Sequence, residues 1–179
     1  VGTFGAAELT SIQRVFQRVA EDFAPFNVNV TTQEPPLSAI VRSGGGDTAW
    51  GVRVVIGGGG AWLGQRAGGV AYIGSFGDWF FGGTDTPAFV FSDNLGGGYE
   101  KFVAEAVSHE VGHTLGLNHD GAAGTTYYAG HGTGETSWAP IMGNSYDRNV
   151  TQWSRASYAG ANNTEDDLAI IASDSNGFG

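Results

Sequence analysis

The stretch HEVGHTLGLNHD, residues 109–120, constrains this chain more than any other. It holds three of the four histidines, His109, His113 and His119, and sets Glu110 directly after the first. On a helix, positions four apart lie one turn apart on the same face, so His109 and His113 can aim ring nitrogens at one point. Two imidazoles so placed make two corners of a tetrahedral zinc site. Glu110 projects about 100° around the helix, too far to be an obvious third ligand but well placed to hold a water on the metal's open side. Gly116 is the residue type with which a helix stops in a left-handed conformation, after which the chain can swing back and present His119. Three protein ligands leave a fourth position for water, the pattern of a catalytic zinc site. Bound zinc lowers the pKa of that water from about 15.7 to about 7, and Glu110 can take its proton and pass it to a leaving group. Amide hydrolysis fits those parts. Histidines on an apolar stripe can instead be satisfied core residues, but two buried side by side and unpaired would be costly, and a metal removes that cost.

The rest of the chain reads as a helix, then strands, then helices. Leu9, Ile12, Phe16, Val19, Ala20 and Phe23 recur at helical spacing and end near Pro25, which predicts an amphipathic helix of about four turns. FNVNVTT (26–32) alternates strictly and predicts a strand with one buried face. WGVRVVIG (50–57) and GVAYIGSF (69–76) predict two more, and PAFVFSDN (87–94), more continuously apolar, an interior one. Helical spacing resumes after Tyr99. The segment 163–173 predicts a short closing helix, with Thr164 as N-cap and Asp167 as its acidic partner three residues on. This order gives an α+β domain, and the length suits one domain spanning 1–179.

Composition removes several classes of partner. The formal charge is −10 and Lys101 is the single lysine, which argues against nucleic acid or an anionic membrane, since both need clustered cations. No run of about 18 apolar residues is present to span a bilayer. Without cysteine there is no disulfide, thiolate nucleophile or cysteine-ligated zinc. The chain starts at Val1 with no signal peptide, as a mature or excised piece would.

HExxHxxGxxHD resembles the motif of the metzincin clan of zinc endopeptidases. Met142, the only methionine, lies in WAPIMGNSY downstream of His119, where metzincins carry a Met-turn whose methionine packs beneath the metal; ordinary core packing is the other reading. The flanks are similar too: residues 8–173 can be laid out in the order of matrixin and serralysin catalytic domains. The resemblance implies a mixed twisted sheet of about four to five strands, a backing helix, an active-site helix, a short C-terminal helix and long irregular loops. It implies zinc on His109, His113 and His119, Glu110 as general base and then acid, and an edge strand through Val70, Ala71, Tyr72, Ile73 and Gly74 that binds an extended peptide by strand addition. Asp120 would tie the helix exit to the Met-turn region; a solvated aspartate is the alternative. Trp138, Tyr146 and Trp153 suggest an aromatic wall to the primed-side pocket. Calcium is a second metal the resemblance allows, with acidic loops GGGDT and GGTDTP but neither an EF-hand nor a glycine–aspartate nonapeptide repeat.

The chain departs from the pattern in places. VGTFG is too short and glycine-rich to make the strand that matrixins place before the first helix. Astacins and serralysins carry a tyrosine two residues after the methionine; Asn144 stands there, and Tyr146 comes four residues after Met142 as a candidate oxyanion or substrate contact. His131 lies in a loop as a surface or cleft residue, and His119 makes Glu135 and Glu165 unnecessary as ligands. The expectation is a secreted, monomeric, zinc-dependent endopeptidase domain, of bacterial origin, acting on protein or peptide. A zinc-stapled binding domain of a larger surface protein and a self-processing protease domain remain the alternatives.

Overall fold

A computed structural model describes residues 3–77 and 84–177. Three helices and five short strands make a mixed α+β architecture. The first helix, α1 (Ala6–Asp22), is capped by Gly5, whose N–H donates to Glu8 Oε2 at 2.7 Å. Val15, Val19 and Phe23 are its buried stripe, one turn apart as the 3.6-residue period requires. Leu9, expected on that stripe, is instead 54% exposed.

Three strands form the first sheet: β1 (Val54–Ile56), β2 (Gly69–Val70) and β3 (Ala88–Val90), in the order β1-β3-β2. β3 is central, parallel to β1 and antiparallel to β2. Ala88 and Val90 are fully buried, as its continuous apolar run implied. The other two, β4 (Trp138–Pro140) and β5 (Val150–Gln152), make a separate parallel ladder. So the expected four to five strands are present, but split between two small sheets.

Two strand expectations are corrected. Residues 26–32 join no ladder among the described residues. Their alternation is real, since Phe26, Val28 and Val30 pack on the core, but Phe26 N–H and Val28 N–H bond back to Phe23 O and Phe26 O and the segment starts as a local turn. The edge strand stops at Val70, so Ala71, Tyr72, Ile73 and Gly74 lie outside it. Gly74, at φ +72°, turns the chain away from the sheet. Its N–H donates to His113 O at 2.9 Å and that of Phe76 to Thr114 O at 2.8 Å, so this segment serves the last turn of the active-site helix.

That helix, α2 (Glu100–Thr114), is enclosed on nearly every side: eleven of its fifteen residues are buried. Small side chains at Ala104, Ala106, Ser108 and Gly112 let its neighbours approach closely. α1 backs it through Asp22 Oδ2, which accepts from Ser108 Oγ at 2.6 Å, and through the Arg14–Glu100 ion pair at 3.0 Å. Inside, Glu105 meets Lys101 Nζ at 3.1 Å and accepts from Ser145 Oγ at 2.7 Å and Thr151 Oγ1 at 3.2 Å. Lys101 Nζ also donates to the carbonyls of Ser145 and Tyr146. Thus one buried, fully bonded charge pair ties α2 to the loop after Met142.

The closing helix α3 (Asp167–Ile171) is shorter than expected, and its cap is not Thr164. Asp166 caps it, accepting from Ala169 N–H at 3.2 Å. Asp167, fully buried, instead accepts from Ser154 N–H at 2.8 Å.

Candidate metal centre

α2 ends in a Schellman motif: Leu117 N–H bonds to Gly112 O at 3.0 Å and Gly116 N–H to His113 O at 2.9 Å. Gly116 sits at φ +103°, where a side chain would be strained. The reversal returns His119 to the helical histidines. Ring centroids of the three lie 4.7–5.2 Å apart, and their ligand nitrogens all fall within 4.8 Å of one another. Among the described residues they form the one cluster of metal-ligating side chains that could hold an ion.

The hydrogen bonds around the rings select the tautomers. His109 Nδ1 lies 2.9 Å from Ile141 O and His113 Nδ1 2.8 Å from Leu117 O. A carbonyl can only accept, so both Nδ1 atoms carry the proton and both Nε2 lone pairs face the cluster. His113 Nε2 and His119 Nε2 are 3.0 Å apart, close to the roughly 3.3 Å that two zinc–nitrogen bonds of about 2.05 Å at a tetrahedral angle demand. Burial first, and then the neighbouring rings, hold His109 down to about 3 and His119 to about 4, and burial lowers His113 as well. The shifts favour the neutral rings that metal ligation requires. The donor set fits zinc.

Met142 is fully buried, with its Sδ against Gly112 of α2. Gly143 N–H donates to Pro140 O at 3.0 Å, closing a tight turn around Ile141 and Met142, and the Ile141 carbonyl in it is the one that orients His109. Asp120 is 1% exposed, which rules out the solvated alternative. Its backbone makes the tie to the Met-turn, N–H to Met142 O at 2.8 Å. Burial, with Glu165 adding, pushes its carboxyl up to about 6.

Glu110 is 7% exposed and makes no hydrogen bond among the described residues. Burial pushes its carboxyl up to about 8. It rests against β2: a Cβ on Gly69 would fall 2.6 Å from Glu110 Cγ and 2.7 Å from its Oε1. Gly68 is likewise pressed by the Tyr146 hydroxyl, 2.9 Å from where its Cβ would lie. Tyr146 packs on Phe102 at 5.3 Å, and burial, with Glu110 adding, pushes its phenol up to about 12.

A family model for metallo-peptidase family M12, of the reprolysin type, matches residues 47–154, more than half of the chain. The chain belongs to metallo-peptidase family M12. No curated protein matches it significantly. M12 is a metzincin family of zinc-dependent peptidases, so the resemblance carried by the motif holds. The matched span contains β1 to β5, α2, the three histidines and Met142; α1, Asn163, Glu165 and α3 lie outside it.

Tyr127 is the residue of this M12 centre that the sequence reading passed over. Its ring lies 4.3 Å from that of His119 and 6.1 Å from that of His109, and burial with Glu110 adding raises its phenol. It sits in an aperiodic loop, so no spacing marked it. A polar cleft of about 570 Å³ opens on His119 and is lined by Asn118, Thr125, Asn162 and Glu165 among others. Trp153 does not line this cleft: it packs on Phe23 at 5.3 Å and donates to Asp22 O. His131 stands apart from the cluster, bonded to Tyr128 and with its ring tilted against Trp138 at 5.3 Å. In the first acidic loop Asp47 is consumed by Ser43 and Ala49, and in the second Asp85 pairs with Arg53 at 2.8 Å, while Gly82 and Gly83 lie outside the described residues.

Proposed function

We propose that this M12 domain is a zinc-dependent endopeptidase that cleaves extended polypeptides outside the cell. The observation that carries it is the cluster of His109, His113 and His119 with Glu110 next to His109 on α2, a largely buried residue pressed against Gly69 of the edge strand β2 with no protein hydrogen bond among the described residues. A purely structural metal centre has no use for such a group. A carboxylate that no protein group engages is free to bond a substrate water.

Zinc, when bound, would supply Lewis acidity toward a carbonyl and a water. His109, His113 and His119 would hold it. Glu110 takes the proton of the attacking water and delivers it to the departing amine nitrogen. The Tyr146 and Tyr127 hydroxyls, both kept neutral, are donors for the developing oxyanion. β2, at the sheet edge, gives an extended peptide a backbone partner across two residues rather than the longer strand first expected.

Digestion of unfolded casein by the zinc-loaded protein tests this, with metal content measured and Glu110→Gln alongside. The expected result is cleavage by wild type and a loss of about 10²–10⁴-fold in the variant at equal zinc content. A zinc-bound wild type that cuts no unfolded protein would overturn the proposal.

A further inference from the structure

His109 and His113 are placed by α2 and by a carbonyl on each Nδ1. His119 has neither support. It follows the helix stop at Gly116, and its Nδ1 makes no hydrogen bond among the described residues. Its position rests on its backbone, and that backbone is held from far along the chain. Glu165 accepts from Asn118 N–H at 2.9 Å and from Asn118 Nδ2 at 2.6 Å. Asn163 Nδ2 donates to His119 O at 3.3 Å and to Glu165 Oε2 at 3.0 Å, while Asn163 Oδ1 accepts from Glu165 N–H at 3.0 Å. The two residues lock each other and grip the backbone at Asn118 N–H and at the carbonyl of His119 itself.

We propose that Glu165 and Asn163 are positioning residues that set the place of His119, so that zinc affinity is governed from the segment preceding α3. This rests on the zinc reading above. Magnitudes separate it from a plain stabilising role. The Asn118–Glu165 bonds are solvent-exposed, and such bonds contribute little to global stability. A metal site, by contrast, tolerates about ±0.2 Å in its ligand distances, so a small drift of a loop-borne ligand is felt at once. Both residues lie outside the span matched by the M12 family model.

The test is zinc affinity of the full chain, by competition with a chromophoric chelator, for wild type, Glu165→Ala, Asn163→Ala and Val15→Ala. Circular dichroism of the metal-free proteins establishes that each is folded. Val15 lies in the core on α1, so its truncation lowers Tm without touching the histidines. The dissociation constant should rise about 10–100-fold in Glu165→Ala and by a smaller factor in Asn163→Ala. Val15→Ala should stay within twofold of wild type despite an equal or larger loss of Tm. Unchanged affinity in both clamp variants, or an equal loss in Val15→Ala, overturns the clamp alone. Should Glu165→Ala not fold without metal, Asn163→Ala decides by the same criterion. A wild type that takes up no zinc overturns both the clamp and the proposed function.

Discussion

Met142 packs directly against the backbone of Gly112, the residue before His113: a Cβ on Gly112 would fall 2.5 Å from Met142 Sδ and 3.2 Å from the Trp153 ring. In an ordinary helix interior, replacing glycine by alanine gains about 1 kcal/mol. Here the sign should reverse. Gly112→Ala is expected to lose about 1–3 kcal/mol through overpacking. Met142→Ala should lose about 2–5 kcal/mol, whereas Met142→Leu, which conserves volume, should lose under about 1.5 kcal/mol. Urea unfolding of the zinc-free proteins measures all three, and a stabilised Gly112→Ala would refute this packing.

Gly69 does for Glu110 what Gly112 does for Met142. Its added Cβ would meet not only Glu110 but also Phe89 O at 2.7 Å, a backbone atom that cannot step aside. Gly69→Ala should therefore displace the carboxylate and lower kcat/KM by at least about tenfold, since misplacement by about 1 Å can cost far more. Steady-state peptidase kinetics, with zinc content as control, provide the check; unimpaired turnover would mean that Glu110 has room to spare.

Lys101 and Glu105, side chains 12% and 7% exposed, are an i,i+4 pair of the kind that lies on a solvated face. In this fold they are interior. Removing one partner of a buried pair is expected to cost about 3–5 kcal/mol, against under about 1 kcal/mol for an exposed one. Chemical denaturation of Glu105→Ala distinguishes the two, and a loss below 1 kcal/mol would place the pair in effective contact with water.

Asp22 gives a pH dependence. Burial, offset in part by the Ser108 hydroxyl and reinforced by Glu105, pushes its carboxyl from 3.8 to about 7. The unfolded chain ionises first, so this group weakens the fold progressively between about pH 4 and pH 7 and fully above that. Asp22→Asn stays neutral and keeps an acceptor for Ser108. The variant should match wild type near pH 4 and exceed it at pH 8 by up to roughly 4 kcal/mol. Thermal melts at the two pH values measure the difference; identical behaviour at pH 8 would show that Asp22 carries no such penalty.

Local chemistry was legible in the sequence. The 3.6-residue period brings His109 and His113 together, and Gly116 must be where the helix stops because few other residues tolerate its backbone angle. Alternation correctly marked which side chains of 26–32 face inward, and the apolar run of β3 marked an interior strand. These are properties of a few neighbouring residues, which periodicity and backbone sterics report directly. Partnership across the chain was not legible. Whether 26–32 and 71–74 join a ladder depends on which distant strand lies alongside, and in the second case the last turn of α2 claims the hydrogen bonds. Only the tertiary structure put Lys101 and Glu105 inside, set Tyr127 against His119, and handed His119 to Asn163 and Glu165, some 45 residues further on. A motif names the groups that can bind a metal; what holds them in place is contributed by segments whose distance along the chain leaves no periodic trace.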